Sequence, residues 1–333
     1  MSIENLMRLE RRAFLGLLAV AAAALLWSTA GLPAAEGPAA EKPILSFGVI
    51  ADVQYADIKP EGGRHYRESL DRFKEAVQKF NELKPDFVIH TGDFIDRDIS
   101  SYDAVLPVYE RLSMPHYFCL GNHDFAVKDD EKAAIVPKLG LDKRGDGKGY
   151  YDFATGGPPD AASAGKRAGW RFVVLNGNDV SIISSRAGSD ERKAAEKVMA
   201  ELKQKGAKNA GMYNGAVGPA QLAWLKATLA KADAAGEKTV VFCHFPVYPA
   251  TGATLWNGDE LVSALESAKG VVAYIAGHDH KGGYAEKNGI HYLTVCGMVE
   301  TNDTAYALVE VRADGLHVTG FGRQPTRVLA FKK

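Results

Sequence analysis

The sequence predicts an α/β protein in which β-sheets lie sandwiched between helices. Three observations carry that expectation. Short apolar, strand-like runs alternate with amphipathic helical segments through most of the chain, and a run of strands closes it. Polar residues able to bind metal fall just past the ends of the apolar runs, where open α/β sheets place their ligand sites.

The elements follow in order. "ILSFGVI" (44–50) is the first strand. Tyr66, Leu70, Phe73, Val77, Phe80 and Leu83 then step by three and four, one face of a helix that must stop before Pro85. "FVIH" (87–90) is a second strand, 101–113 a helix kinked or started at Pro107, and "HYFCL" (116–120) a third strand. The irregular stretch 156–169, between "GYYDF" and "WRFVVL", reads as a long hairpin loop. "SDERKAAEKVMAELKQKG" (189–206) is a charged amphipathic helix with a solvated face. Pro219 opens a helix carrying Leu222, Leu225 and Leu229, with Gly236 near its end. "TVVFC" (239–243), a short helix with Leu261 and Leu265, and "VVAYIA" (271–276) come next. "HYLTV", "AYALVEV" and "LHVTGFG" are consecutive strands.

The bulk properties bound the partners. With 333 residues, 46% apolar and 24% charged, the chain can bury a sizeable core as one large domain. Its net charge is −1 and no basic stripe tracks a phosphate backbone, so a nucleic-acid polymer is a poor partner. The N-terminus differs in kind. Arg8, Arg11 and Arg12 precede the uncharged run 13–27 and then "STAGLPAA", the order of an export signal. "ERRAFLGLL" further resembles a signal read by the twin-arginine export machinery, which moves folded proteins. Residues 1–35 are therefore expected to be the signal, cleaved after Ala30 or Ala35, with a linker over 36–43 and one domain over 44–333. The expected location is periplasmic or secreted, with no membrane contact after cleavage; an uncleaved anchor is the other reading of the same run. Cys119, Cys243 and Cys296 are an odd number at wide spacing, which suits buried free thiols rather than a disulfide framework.

The chemistry lies at the strand ends. Asp52 and Gln54 follow the first strand, Asp93 the second, and Asn122, His123 and Asp124 ("GNHD") the third. His244 follows "TVVFC", and His278 and His280 ("GHDH") follow "VVAYIA". The neighbouring Gly92, Gly121 and Gly277 would permit tight turns there. Each piece alone has an ordinary explanation: Asp93 or Asp96 as a helix N-cap, Asn122 as a left-handed turn residue, a single histidine as a packed one. Five such sets at five strand ends ask for a common cause. Two divalent ions need a bridging carboxylate, for which Asp93 is the choice, and further O and N ligands that leave positions open. An ion-bound water loses its proton near neutral pH and supplies a nucleophile.

"DVQ … GDFID … GNHD … H … GHDH" resembles the calcineurin-like metallophosphoesterases, and within them the manganese-dependent ADP-ribose/CDP-alcohol diphosphatases, marked by glutamine in "GVIADVQYADI". The likeness runs on through "RHYRESL", "NGAVGPAQLAWL", "HFPVYP" and "AGHDHKGGYAEKNGIHYLTVCGMVET", over residues 45 to 310. The resemblance implies a four-layer α/β/β/α sandwich with two mixed β-sheets. It implies that Asp52, Gln54 and His280 serve one metal and Asn122, His244 and His278 the other, with Asp93 between them. His123 would be the general acid, oriented by Asp124. The ions implied are two divalent metals, Mn²⁺ first, with Mg²⁺, Fe or Zn²⁺ as alternatives. The substrate implied is a small phosphorylated molecule cleaved at a phosphodiester or diphosphate linkage; a phosphomonoesterase of the same chemistry and a metal-free scaffold are the rivals. Asp96 stands where purple acid phosphatases carry a ligand tyrosine, which speaks against that branch.

Gln54 can be explained physically. Its amide oxygen is a neutral, harder ligand than imidazole, and oxygen-rich sites suit Mn²⁺ and Mg²⁺ over Zn²⁺. The alternative is a hydrogen bond from Gln54 to a metal-held water. On the substrate side, Arg67 and His65 before the first helix could meet a phosphate. Asn214, Tyr248 and Tyr284 lie in loops resembling the family's substrate-side loops, where an aromatic ring could stack on a base.

Overall fold

The structure, a computed structural model, describes residues 42–155 and 169–332. The export signal and nearly all of the linker lie outside the described residues, as does almost all of the expected loop at 156–169. β1 (Leu45–Ile50) leads through α1 (Ser69–Leu83), β2 (Phe87–His90) and α2 (Tyr102–Tyr109) to β3 (His116–Phe118). A short helix, α3 (Ile135–Lys138), precedes β4 (Tyr151–Thr155) and β5 (Trp170–Val174). The two-residue strands β6 (Val180–Ser181) and β7 (Gly215–Ala216) bracket α4 (Asp190–Gln204). The chain continues through α5 (Pro219–Ala234), β8 (Lys238–Phe242), α6 (Gly258–Glu266) and β9 (Val271–Ala276). It closes with β10 (Gly283–Lys287), β11 (Ile290–Thr294), β12 (Ala305–Val311), β13 (Gly315–Gly322) and β14 (Arg327–Ala330).

The helices start and stop where local chemistry allows. α1 buries Phe73, Val77 and Phe80 and ends at Lys84, whose left-handed backbone (φ 52°) lets its N–H donate to the Phe80 carbonyl just before Pro85. Ser189 caps α4 by accepting from the Arg192 N–H at 3.1 Å. Pro219 opens α5, and Gly236 follows its end at φ 68°. α2 is shorter than expected: Pro107 sits inside it rather than at its start, and three-residue turns at Arg111 and Leu112 unwind it before 113.

The strands form two six-stranded mixed sheets, ordered β14-β13-β12-β1-β2-β3 and β10-β11-β9-β8-β5-β4. Phe47 and Phe87 of the first sheet meet Phe172 and Phe242 of the second at centroid distances of 4.8 to 5.7 Å, so the main core lies between the sheets. The opposite face of the second sheet, with Val173, Val241 and Tyr274, packs on Leu225 and Leu229 of α5 and Leu261 and Leu265 of α6. α1 and α2 cover the first sheet through Phe73, Phe80 and Tyr109. The result is an α/β/β/α sandwich.

This topology positions the site. β1, β2 and β3 run parallel in one sheet and β5, β8 and β9 in the other, so their C-terminal loops gather at one edge of the sandwich. Among the described residues, no helix is long and apolar enough to cross a membrane. Cys119, Cys243 and Cys296 are buried free thiols.

Candidate metal centre

The loops after β1, β2, β8 and β9 bring two groups of candidate ligands together. Asp93, His244 and His278 form one and Asp52, Asp93 and His280 the other; within each group, one ligand atom per residue lies within 4.8 Å of the others. Asp93 belongs to both. Gln54 joins the second group, its Nε2 donating to Asp93 Oδ2 at 2.9 Å and lying 3.1 Å from His280 Nε2. Asn122 joins the first, with Oδ1 at 3.1 Å from His244 Nε2.

Holding these side chains together strains the backbone. Asp52, Gln54, Asp93 and His278 all adopt left-handed φ, at 52°, 42°, 57° and 67°. Side chains other than glycine pay about 1–3 kcal/mol for such a conformation, and it persists where surrounding bonds impose it. Here those bonds are Asp52 N to Gly92 O (3.2 Å) and Gln54 N to Asp93 O (2.9 Å). Of the three neighbouring glycines, Gly92 alone is a left-handed turn (φ 98°). Gly121 and Gly277 serve by closeness: a Cβ would fall 2.2 Å from Asp93 Oδ1 or 2.6 Å from Asp52 Oδ2.

The donor set fits two divalent cations. Gln54 Oε1 is buried with no hydrogen-bond partner, although the amide nitrogen beside it has two close neighbours. His278 Nδ1 and His244 Nε2 face each other at 3.2 Å, so two ring nitrogens converge where one cation could be held. Burial alone would lower the pKa of His244, but Asp93 beside it lifts it to about 9. His280, likewise buried, is lifted to about 9 by Asp52 and Glu300. His278 is pushed down to about 3 by burial and the neighbouring His244, so it is neutral. Burial works against the Asp93 carboxylate, yet His244 and His123 hold its pKa far below the usual range. The cluster therefore holds carboxylate charge that attracts cations, and protons that a cation would displace.

The expected partner of His123 needs correcting. His123 Nδ1 lies 2.9 Å from Asp96 Oδ1, both side chains being largely buried, whereas Asp124 makes no contact with the ring. Asp124 accepts instead from the backbone N–H groups of Gly121, Phe94 and Asp93 at 2.8, 2.9 and 3.1 Å, and from the Tyr102 hydroxyl at 2.9 Å. It ties the loops after β2 and β3 together. Burial and the nearby Asp93 push its pKa up to about 6 against those bonds. Neither Asp93 nor Asp96 caps a helix, a role taken by Asp98. Asn122 is not left-handed (φ −73°).

The substrate-side expectations fare unevenly. Gln54, Asp93, Asn122, His123, His278 and His280 line one cavity of about 360 Å³ together with Arg64 and Tyr213. Arg67 is not in it; half-exposed, it pairs with Asp57 at 2.5 Å on the surface. Asn214 contacts a ligand histidine, its Oδ1 lying 3.0 Å from His278 Nε2. Tyr248 packs on Tyr292, and the Tyr284 hydroxyl meets His291 Nδ1 at 3.0 Å, both outside the cavity lining. Arg64, Tyr213, Asp96 and Glu300 are residues that the sequence reading does not place at the site. Asp96 carried a signal, three residues after Asp93 in "GDFID". Tyr213 adjoins Asn214. Glu300 carried only its place in the stretch ending "GMVET".

Two ligand groups sharing one carboxylate, at the mouth of a double sheet and beside a histidine–carboxylate pair, define a dimetal hydrolase. A profile of the calcineurin-like phosphoesterases matches residues 45–282, and the chain belongs to that family. It is similar to the manganese-dependent ADP-ribose/CDP-alcohol diphosphatase of Arabidopsis thaliana, 32% identical over 86% of this chain and 97% of that protein. The protein of the same name in Oryza sativa subsp. japonica is 31% identical over 87% of this chain and 95% of its own. Among solved structures, a dimetal phosphatase from Danio rerio superposes with a TM-score of 0.75 at 26% identity, covering 87% of this chain and all of that one.

Proposed function

We propose that this chain hydrolyses the diphosphate or phosphodiester linkage of a small nucleotide-like molecule, of the ADP-ribose or CDP-alcohol kind, with Mn²⁺ as its metal. The observation that carries the reading is the cavity's mixed lining. A guanidinium (Arg64) and a half-exposed aromatic ring (Tyr213, 52% exposed) stand beside the metal ligands in about 360 Å³. A cation suits a second phosphate and a flat ring suits a base. The names of the two plant relatives support the same substrate class.

Two divalent ions, when bound, supply Lewis acidity toward the phosphoryl oxygens and an activated water at neutral pH. Asp52, Gln54, Asp93 and His280 would hold one, and Asp93, Asn122, His244 and His278 the other. The remaining steps belong to the chain's own groups. Burial lowers the pKa of His123, but Asp93 and Asp96 raise it more, which favours the imidazolium the acid role needs. With Nδ1 engaged by Asp96, its Nε2 proton is available to the departing oxygen. Arg64 Nη1 lies 3.4 Å from that Nε2. Two donors so close conflict until an anionic oxygen sits between them, which is where the substrate phosphate belongs.

The experiment is a rate panel with Mn²⁺: ADP-ribose, CDP-choline, cyclic nucleotides and phosphate monoesters. Preference for the first two supports the reading; preference for monoesters replaces it with a phosphomonoesterase. We further propose export by the twin-arginine route to a periplasmic or secreted location, supported by residues 1–35 of the sequence alone. Lysine at both Arg11 and Arg12 should retain precursor in the cell, and unchanged export would remove that route.

A further inference from the structure

The geometry points to Glu300 as a positioning residue that sets a metal ligand and the cavity's arginine at once. This rests on the ligand assignment proposed above. Glu300 Oε1 lies 2.8 Å from His280 Nδ1 and 3.8 Å from Arg64 Nε. An acceptor on Nδ1 fixes the tautomer that leaves Nε2 free for a cation, and a charged acceptor makes that nitrogen more basic. Nε2 is the atom turned toward Asp52 Oδ1, at 3.3 Å, and Gln54. The other two ligand histidines lean on neutral groups. His244 Nδ1 meets the Thr91 carbonyl at 2.9 Å, and His278 Nε2 meets Asn214 at 3.0 Å.

Glu300 can hold both partners because its own backbone is held. Met298 N and Val299 N donate to the carbonyls of Ala51 and Asp52, each at 2.9 Å. On the other side His65 N donates to Val299 O at 2.7 Å and Thr301 N to Gly63 O at 3.1 Å, while Arg64 and Glu300 pair as a β-bridge. The segment 298–301 is thus stitched both to the loop carrying Asp52 and to the turn carrying Arg64. Contacts run from His280 through Glu300 and Arg64 to His123, joining a metal ligand to the proposed acid.

The two halves of this role come apart in two variants. Glu300→Gln keeps an acceptor for the Nδ1–H of His280 but removes the charge facing both His280 and Arg64. Glu300→Ala removes both. Mn²⁺ titration calorimetry on the full-length folded protein should show two binding steps. Glu300→Ala should weaken one step by about 10–100-fold and leave the other unchanged. Glu300→Gln should weaken that same step less than alanine does, since the acceptor stays while its charge is lost, and raise KM on ADP-ribose about two- to fivefold with little change in kcat. Equal weakening of both steps in Glu300→Ala, or glutamine as damaging to Mn²⁺ binding as alanine, would overturn the His280 half. An unchanged KM in Glu300→Gln would overturn the Arg64 half, and stands even if the alanine variant fails to fold. A parent protein that binds fewer than two ions would sink the ligand assignment itself, a failure distinct from either.

Discussion

Exchanging Asp96 for asparagine tests which carboxylate governs His123. The two side chains meet at 2.9 Å and are only 14% and 5% exposed, so solvent screens the pair weakly. Asparagine keeps the size and an oxygen able to accept from Nδ1–H, so the ring's orientation survives while the charge does not. An opposite charge at this range raises a histidine pKa. Asp93 also raises it, so removing Asp96 should lower it only in part. The imidazolium fraction near neutral pH then falls, offset in part because the remaining proton is the stronger acid. On an alkyl phosphodiester, whose alkoxide departs poorly without a proton, kcat/KM should drop by about 10-fold or more. The pH–rate limb that reports the acid should move to lower pH. On a diphosphate the loss should be distinctly smaller, since the departing phosphate monoester has a second pKa of about 6 and leaves largely unprotonated. The assay is kcat/KM against pH for both substrate types, with metal content matched. An unmoved limb, equal losses on the two types, or a limb that moves in Asp124→Asn instead would refute the assignment.

Asp124→Asn should cost about 2–5 kcal/mol of stability, read by denaturant unfolding, because its amide N–H would face donors that a carboxylate now accepts. Asp93→Ala should abolish hydrolysis of both substrate types and lower Mn²⁺ stoichiometry, since both ligand groups contain it. Gln54→His should raise affinity for Zn²⁺ relative to Mn²⁺ in metal titrations; identical selectivity would remove Gln54 from the ligand set. His244 and His280 sit at about 9, above the ordinary 6.5, so each holds a proton at neutral pH that ligation must displace. Mn²⁺ binding should therefore release protons and tighten with rising pH, measurable by calorimetry in buffers of different ionisation enthalpy. In metal-free protein the same shifts stabilise the fold fully below about 6.5 and fade as pH climbs to about 9, so Tm under chelation should fall across that interval.

What is legible in the sequence follows from what each element needs. β9 reads cleanly because most of its residues are buried between helix and sheet, leaving an unbroken apolar run. β10 ("GYAEK") and β14 ("RVLA") do not, because each is an edge strand with exposed positions, made a strand by its neighbour's hydrogen bonds. The proposed metal ligands are legible for a related reason. Each lies within a few residues of a buried strand's end, so a local window contains both the strand and the ligand. Arg64 and Arg67 show where such windows fail. They stand three residues apart, alike in charge, before the same helix. The backbone bridge from Glu61 to Arg64, and from Arg64 to Glu300, turns the first toward the cavity, while Asp57 draws the second to solvent. Those partners are set by the path of the chain in space, and Glu300 is more than two hundred residues away.

Asp124 makes the same point from the other side. Beside His123 in "GNHD", it looks like the residue to steer the imidazole, and adjacency is the only evidence a sequence offers. In a three-residue helical turn, however, neighbouring side chains diverge. Asp124 points inward, where four donors wait for a carboxylate, and His123 points outward to the cavity. The carboxylate that reaches His123 must come from another strand end. The loop after β2 supplies it, with Asp93 and Asp96 three residues apart on one turn: the first faces the metal ligands and the second faces His123. One short segment thus sets the spacing between the proposed acid and the ions. A shift of that loop would misplace both together, which is why Asp124, though it touches neither substrate nor ring, holds the backbone N–H groups of Asp93 and Phe94 in place.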